Sequence, residues 1–139
     1  MYIGKYYHKL EEKGRVSLPK AFRSTHQKWV VTRGLDGGLA VYDEPQFENM
    51  LAELQSVSFT KKKQRDLIRL MTNEAQAVEA DASGRVQLPD YLINLAGLTK
   101  DLVIVGSHNH VEIWDQAQYH QYIDTLEPQM ESLAETYDN

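Results

Sequence analysis

The chain has 139 residues, 42% hydrophobic and 25% charged, enough for one compact core or two small ones and too few for a large multidomain enzyme. It has no cysteine, which excludes disulfides, thiolate nucleophiles and sulfur-ligated metals and suits a reducing cytoplasm. Its longest strongly apolar run, Leu102 to Val105, is far below the roughly 20 residues of a membrane helix, so a soluble chain with no membrane association is expected. The net charge of −5 argues against indiscriminate nucleic-acid binding, yet the charge is uneven: residues 5–23 carry six Lys or Arg against two acids, and eight acids with no Lys or Arg follow Lys100.

In chain order, a first strand is predicted over about Lys5 to Leu10. It meets a turn at Gly14, where the missing Cβ permits positive φ, and a second short strand then runs to Pro19, which cannot donate to a ladder. A short helical turn follows. Strands over about Lys28 to Thr32 and Leu39 to Tyr42 flank the loop Gly34-Leu35-Asp36-Gly37-Gly38. Asp43 stands where a helix N-cap belongs, and Phe47, Met50, Leu51 and Leu54 form an i, i+3, i+4, i+7 stripe. Ser58 to Met71 reads as a connecting helix with a basic first half and helically spaced Leu67, Leu70 and Met71.

From Ala75 the same pattern returns. Glu11-Glu12-Lys13-Gly14-Arg15-Val16-Ser17-Leu18-Pro19 matches Asp81-Ala82-Ser83-Gly84-Arg85-Val86-Gln87-Leu88-Pro89 at an offset of 70, and beyond the prolines the offset becomes 72. Gly34 then matches Gly106, Leu39 to Asp43 matches Val111 to Asp115, and the helical stripe matches Tyr119, Tyr122, Ile123 and Leu126. Past Pro128 the acidic tail is expected to fray. The reading is a mainly β chain with short helices (α+β). It divides into a first unit over 5–47, connecting helices over 48–74, a second unit over 76–119, and a C-terminal helix with acidic tail over 120–139. A unit of about 40 residues has too little core to stand alone, so the two copies are expected to bury each other.

Equivalent positions in the two copies act as an internal control, because the fold is shared and only the surface differs. Lys5, Lys9, Lys13, Lys20 and Arg23 correspond to Ala75, Glu79, Ser83, Asp90 and Ile93. Residues 5–23 sum to +4 and residues 75–93 to −2, a swing that folding does not require and a phosphate-facing role explains. The first copy is therefore the expected DNA-binding side. Arg15 is the primary candidate, since a guanidinium fork pairs with guanine O6 and N7. Lys13, beside the Gly14 turn, would meet phosphate or a neighbouring base, and Lys5, Lys9, Lys20 and Arg23 would contact phosphate. The competing structural reading pairs Arg15 with Glu11 and Arg85 with Asp81 across their turns. Lys61 to Lys63 reads mainly as a solvated helix end, and Tyr2, Tyr6, Tyr7 and Trp29 as core or subunit contacts rather than stacking platforms.

A strand, then (D/E)xxGRxxLP, a short helix and two more strands, duplicated in one short chain, resembles the MraZ family of bacterial transcriptional regulators. The resemblance runs from Met1 to about Tyr122. It rests on Lys13-Gly14-Arg15 with Pro19 and Phe22-Arg23, on the motif from Asp81 through Gly84 to Arg85, and on Ala96-Gly97-Leu98-Thr99-Lys100 leading to Glu112-Ile113-Trp114-Asp115. It implies tandem SpoVT-AbrB-type units forming a double-ψ or swapped-hairpin β-barrel, with assembly into a ring-like homo-oligomer. It also implies a cytoplasmic, nucleoid-associated protein that binds double-stranded promoter DNA, with short repeated sites, at a cell-wall and division gene cluster. Cofactors and catalysis are not expected. Two rival readings are an antitoxin-like interaction module using the acidic tail, and a metal-dependent enzyme using His108, His110 and Glu112. Duplication within the chain counts against the first; the second lacks a further ligand at a fitting spacing.

Overall fold

The computed structural model describes residues 1–23, 28–56 and 60–138. The first copy forms β1 (Lys5–Lys9), β2 (Arg15–Ser17), α1 (Lys20–Arg23), β3 (Lys28–Arg33), β4 (Leu39–Asp43) and α2 (Glu44–Ser56). The connecting helix is α3 (Lys62–Asn73); the expected residues Ser58 and Phe59 lie outside the described ones. The second copy forms β5 (Gln76–Glu79), β6 (Arg85–Gln87), α4 (Asp90–Leu95), β7 (Asp101–Gly106), β8 (Val111–Asp115) and α5 (Gln116–Leu126). In the tail, α6 (Met130–Glu135) and its flanking 3₁₀ turns continue helical backbone to Asp138, with no buried side chain from Glu127 to Tyr137.

Mixed helix and antiparallel sheet is thus the observed class, but the pairing is not local. β1 and β2 do not form a hairpin with each other, and neither do β5 and β6. Instead β1 pairs with β7 of the second copy, β5 with β3 of the first, and β2 with β6. The main sheet runs β1-β7-β8-β4-β3-β5, and β2-β6 is a separate two-stranded ribbon. The implied closed barrel is corrected here: β1 and β5 remain as free sheet edges and do not pair with one another or with the ribbon.

The registers reveal a pseudo-twofold axis. In the ribbon Val16 faces Val86, each at the same place in its copy, and in the sheet Ala40 faces Glu112, also equivalent. One detail of the repeat changes. β3 and β4 pair Arg33 with Leu39, whereas β7 and β8 pair Gly106 with Val111, so the loop between them is one residue shorter in the second copy. Gly106 therefore takes the register position of Arg33 rather than Gly34, which aligns Trp29 with Leu102 and Val31 with Ile104, all four in the core.

The core lies between ribbon and sheet. Val16, Leu18, Val86 and Leu88 pack inward against Val31, Leu39, Val41, Ile104 and Ile113, and Phe22 of α1 and Leu92 of α4 fill the ends. Truncating a buried residue such as Phe22 to alanine would cost about 3–5 kcal/mol, most of a small domain's stability, so each copy depends on the other. On the opposite sheet face α2 packs on β3 and β4, and α5 covers Val103, Val105 and Trp114. Tyr2 and Trp29 are buried core aromatics. Tyr6 packs edge-on against Phe22, while Tyr7 stays half exposed and stacks on His120.

Candidate nucleic-acid interface

The ribbon's two strands are three residues each, and alternation decides its chemistry. Val16 and Val86 point into the core, so Arg15, Ser17, Arg85 and Gln87 must point away from it. The ribbon is extended at both ends by Leu18 N–H donating to Gly84 O at 3.0 Å and Leu88 N–H donating to Gly14 O at 2.8 Å. Each copy's turn is thereby held by the other copy's strand. A two-stranded, outward-facing ribbon carrying two arginines has a shape that a B-form major groove admits.

The two turns differ in the way their sequences require. Asp81 Oδ1 accepts the backbone N–H groups of Ser83 and Arg85, both at 2.9 Å, and Asp81 Oδ2 accepts from Arg85 Nε at 3.1 Å. The N–H donors and the guanidinium hold the Asp81 carboxyl below the usual carboxylate range. Glu11 is one methylene longer and makes no such closed turn. Its carboxylate accepts weakly from Ser17 Oγ at 3.4 Å and lies 3.9 Å from Arg85 Nη1. Lys13 compensates in the backbone, taking φ of +62° beside Gly14 at +73°. A non-glycine residue in that region costs about 1 kcal/mol or more, and here the Lys13 carbonyl is tied down by Gln87 Nε2 at 2.9 Å.

The competing pairings separate accordingly. Arg85 is bound to Asp81 and reaches Glu11, whereas the Arg15 guanidinium has no hydrogen bond or ion pair with any described residue. Lys13 is exposed beside it, and Lys20 is exposed at the start of α1. The remaining predicted cations do not join this patch. Lys5 and Lys9 leave β1 on the face opposite Tyr6 and His8, away from the ribbon side of the sheet. Lys5 Nζ sits 5.1 Å from the Tyr119 ring centre, and Lys9 pairs with Asp101 at 3.0 Å. Arg23 turns inward: its Nε donates to Leu18 O at 2.6 Å, and its side chain packs across Gly84 where an added Cβ would lie. Burial, aided by the nearby Arg23 charge, lowers the His8 pKa. Arg23 therefore braces the second turn from the first copy. Sequence comparison of the copies could not separate Arg23 from Lys20, because charge swaps register at both positions.

Elsewhere, Lys62 bonds Asp66 at 2.5 Å one turn along α3. His110 Nε2 lies 3.0 Å from Glu112 Oε2 and stacks on Tyr42, while His108 holds φ of +72° in the loop. Among the described residues no three His, Asp or Glu side chains are grouped to hold a metal ion, and no helix is long and apolar enough to cross a membrane.

Comparison with known proteins bears on the whole chain. A family model described as "MraZ protein, putative antitoxin-like" matches twice, over residues 1–70 and 71–139, which mirrors the internal repeat. The "Transcriptional regulator MraZ" of Acetivibrio thermocellus is 38% identical over 136 residues, spanning 97% of this chain and 95% of that relative. The chain belongs to the MraZ family, one of transcriptional regulators rather than enzymes.

Proposed function

We propose that this chain regulates transcription by binding double-stranded promoter DNA in a sequence-dependent way through the outer face of the β2-β6 ribbon. The observation that carries the reading is the Arg15 guanidinium, on a residue half-buried in the outer face of the ribbon and free of the acids that engage its counterpart Arg85. In this reading Arg15 reads guanine, Lys13 contacts phosphate or a neighbouring base, and Lys20 adds a phosphate contact. Lys5 and Lys9, on the other sheet face, reach phosphate only from a neighbouring chain or a curved duplex, and Arg23 supports the site by bracing Gly84. The eight strands are read as two SpoVT-AbrB-type units that share strands around one core.

Few contacts per chain bind weakly, so a ring-like homo-oligomer that meets short repeated sites would supply avidity. The promoter of a cell-wall and division gene cluster is the proposed target, and cytoplasmic, nucleoid-associated residence follows from it. The test is fluorescence anisotropy on duplexes selected from genomic fragments. Arg15→Ala should remove roughly 1–3 kcal/mol of discrimination between selected and scrambled duplex, about 5- to 150-fold. Lys20→Ala should weaken both duplexes alike and reduce the salt slope by about 0.9. Equal discrimination by wild type and Arg15→Ala would refute the reading.

A further inference from the structure

The ribbon is nearly twofold symmetric in backbone but not in its ion pairs. By symmetry Arg15 should take Glu11 at i−4, as Arg85 takes Asp81, and should approach Asp81 across the ribbon, as Arg85 approaches Glu11. It does neither. Asp81 already accepts from two backbone N–H groups and from Arg85 Nε. Glu11 is drawn to the far side, toward Arg85 Nη1 at 3.9 Å and Ser17 Oγ at 3.4 Å. One guanidinium from the second copy thus spans both acids that could neutralise Arg15.

We propose that Arg85 is a positioning residue for the DNA site, sequestering Glu11 and Asp81 so that the Arg15 guanidinium stays available to a base. This rests on the proposed DNA-reading role of Arg15. Arginine suits the task because its planar fork presents separate N–H groups, Nε to Asp81 and Nη1 toward Glu11, which a lysine ammonium cannot hold in fixed directions. Without Arg85, Glu11 falls back on its i+4 neighbour Arg15 and competes with DNA for it. Glu11 is exposed and Arg15 only half-buried, so the competition is worth only a few-fold in affinity.

The experiment uses the full chain, a fluorescent duplex carrying selected sites and a scrambled duplex of equal length. Arg85→Ala should lower the specific-to-scrambled affinity ratio about two- to fivefold. Adding Glu11→Gln should restore the ratio, while adding Glu12→Gln, which gives the same net charge from a neighbouring residue, should not. Arg85→Lys should fall between wild type and Arg85→Ala, and guards against loss of fold, which thermal melting of each variant also reports. An unchanged ratio in Arg85→Ala, or equal rescue by Glu11→Gln and Glu12→Gln, would overturn the positioning role. Loss that neither second substitution restores would mean that Arg85 itself touches DNA, which also overturns it. Arg15→Ala measured alongside separates the two readings: if it leaves the ratio unchanged, the DNA-reading role of Arg15 fails first.

Discussion

At Gly14 an added Cβ would lie 2.7 Å from the Leu88 carbonyl oxygen, a backbone atom fixed by its place next to the ribbon, and φ of +73° is itself unfavourable for a side chain. The single residue therefore couples turn geometry in one copy to strand position in the other. Gly14→Ala should destabilise the chain by about 1–3 kcal/mol, read as a lower denaturant midpoint at unchanged slope. Wild-type stability would show that the turn can open without cost. The pattern GRxxLP made both turn glycines legible, since only a residue without Cβ fits a tight αL turn. The positive φ of Lys13 was not legible, because nothing in a lysine's chemistry asks for it; the tie from Gln87, 74 positions away, decides it.

Among the elements, the helices that cover the outer sheet face start on buried carboxylates, as the repeated Asp at the strand ends suggested. Asp43 Oδ1 accepts from Gln46 N–H at 2.9 Å, and its Oδ2 accepts from the Tyr2 hydroxyl at 2.6 Å; burial first, and then this bond to a carboxylate, raises the tyrosine's pKa. Asp115 caps α5 through Gln118 N–H at 3.3 Å and accepts the Thr99 hydroxyl at 2.5 Å. Burial would raise the Asp115 pKa, but the Thr99 hydroxyl and the backbone donors outweigh it and hold the carboxyl below its ordinary value. A carboxyl with a depressed folded pKa contributes stability that is present above its unfolded pKa, about 4, and is lost as pH falls through the folded value. Asp115→Ala should cost about 1–2 kcal/mol at pH 7 and flatten the loss of stability below about pH 4 in urea titrations at stepped pH. A steep acid limb of wild-type size in that variant would contradict the role assigned to the cap.

For the molecule as a whole, the strand exchange between copies has a direct consequence. A chain cut between residues 74 and 75 leaves β1 without β7, β2 without β6 and β5 without β3. Neither fragment should fold alone: each should give weak, non-cooperative thermal transitions by circular dichroism, whereas the equimolar mixture should recover a cooperative one. Cooperative melting by fragment 1–74 on its own would show that the copies are independent domains, contrary to the shared core.

The duplication, the strand and helix content, the turn glycines, the caps and the cationic bias of the first copy were all written in the sequence, because spacing and residue type act locally. Strand partners were not, since two copies with matching patterns can satisfy the same ladders within or between themselves, and only the shared core between ribbon and sheet selects exchange. The fate of each cation was likewise settled in three dimensions. Arg23, Lys9 and Arg15 look alike along the chain, yet a carbonyl of Leu18 engages the first, Asp101 holds the second, and the third is left open where Arg85 draws the acids away. Charge is a property of the residue, but its availability depends on which distant groups the fold brings within hydrogen-bonding reach.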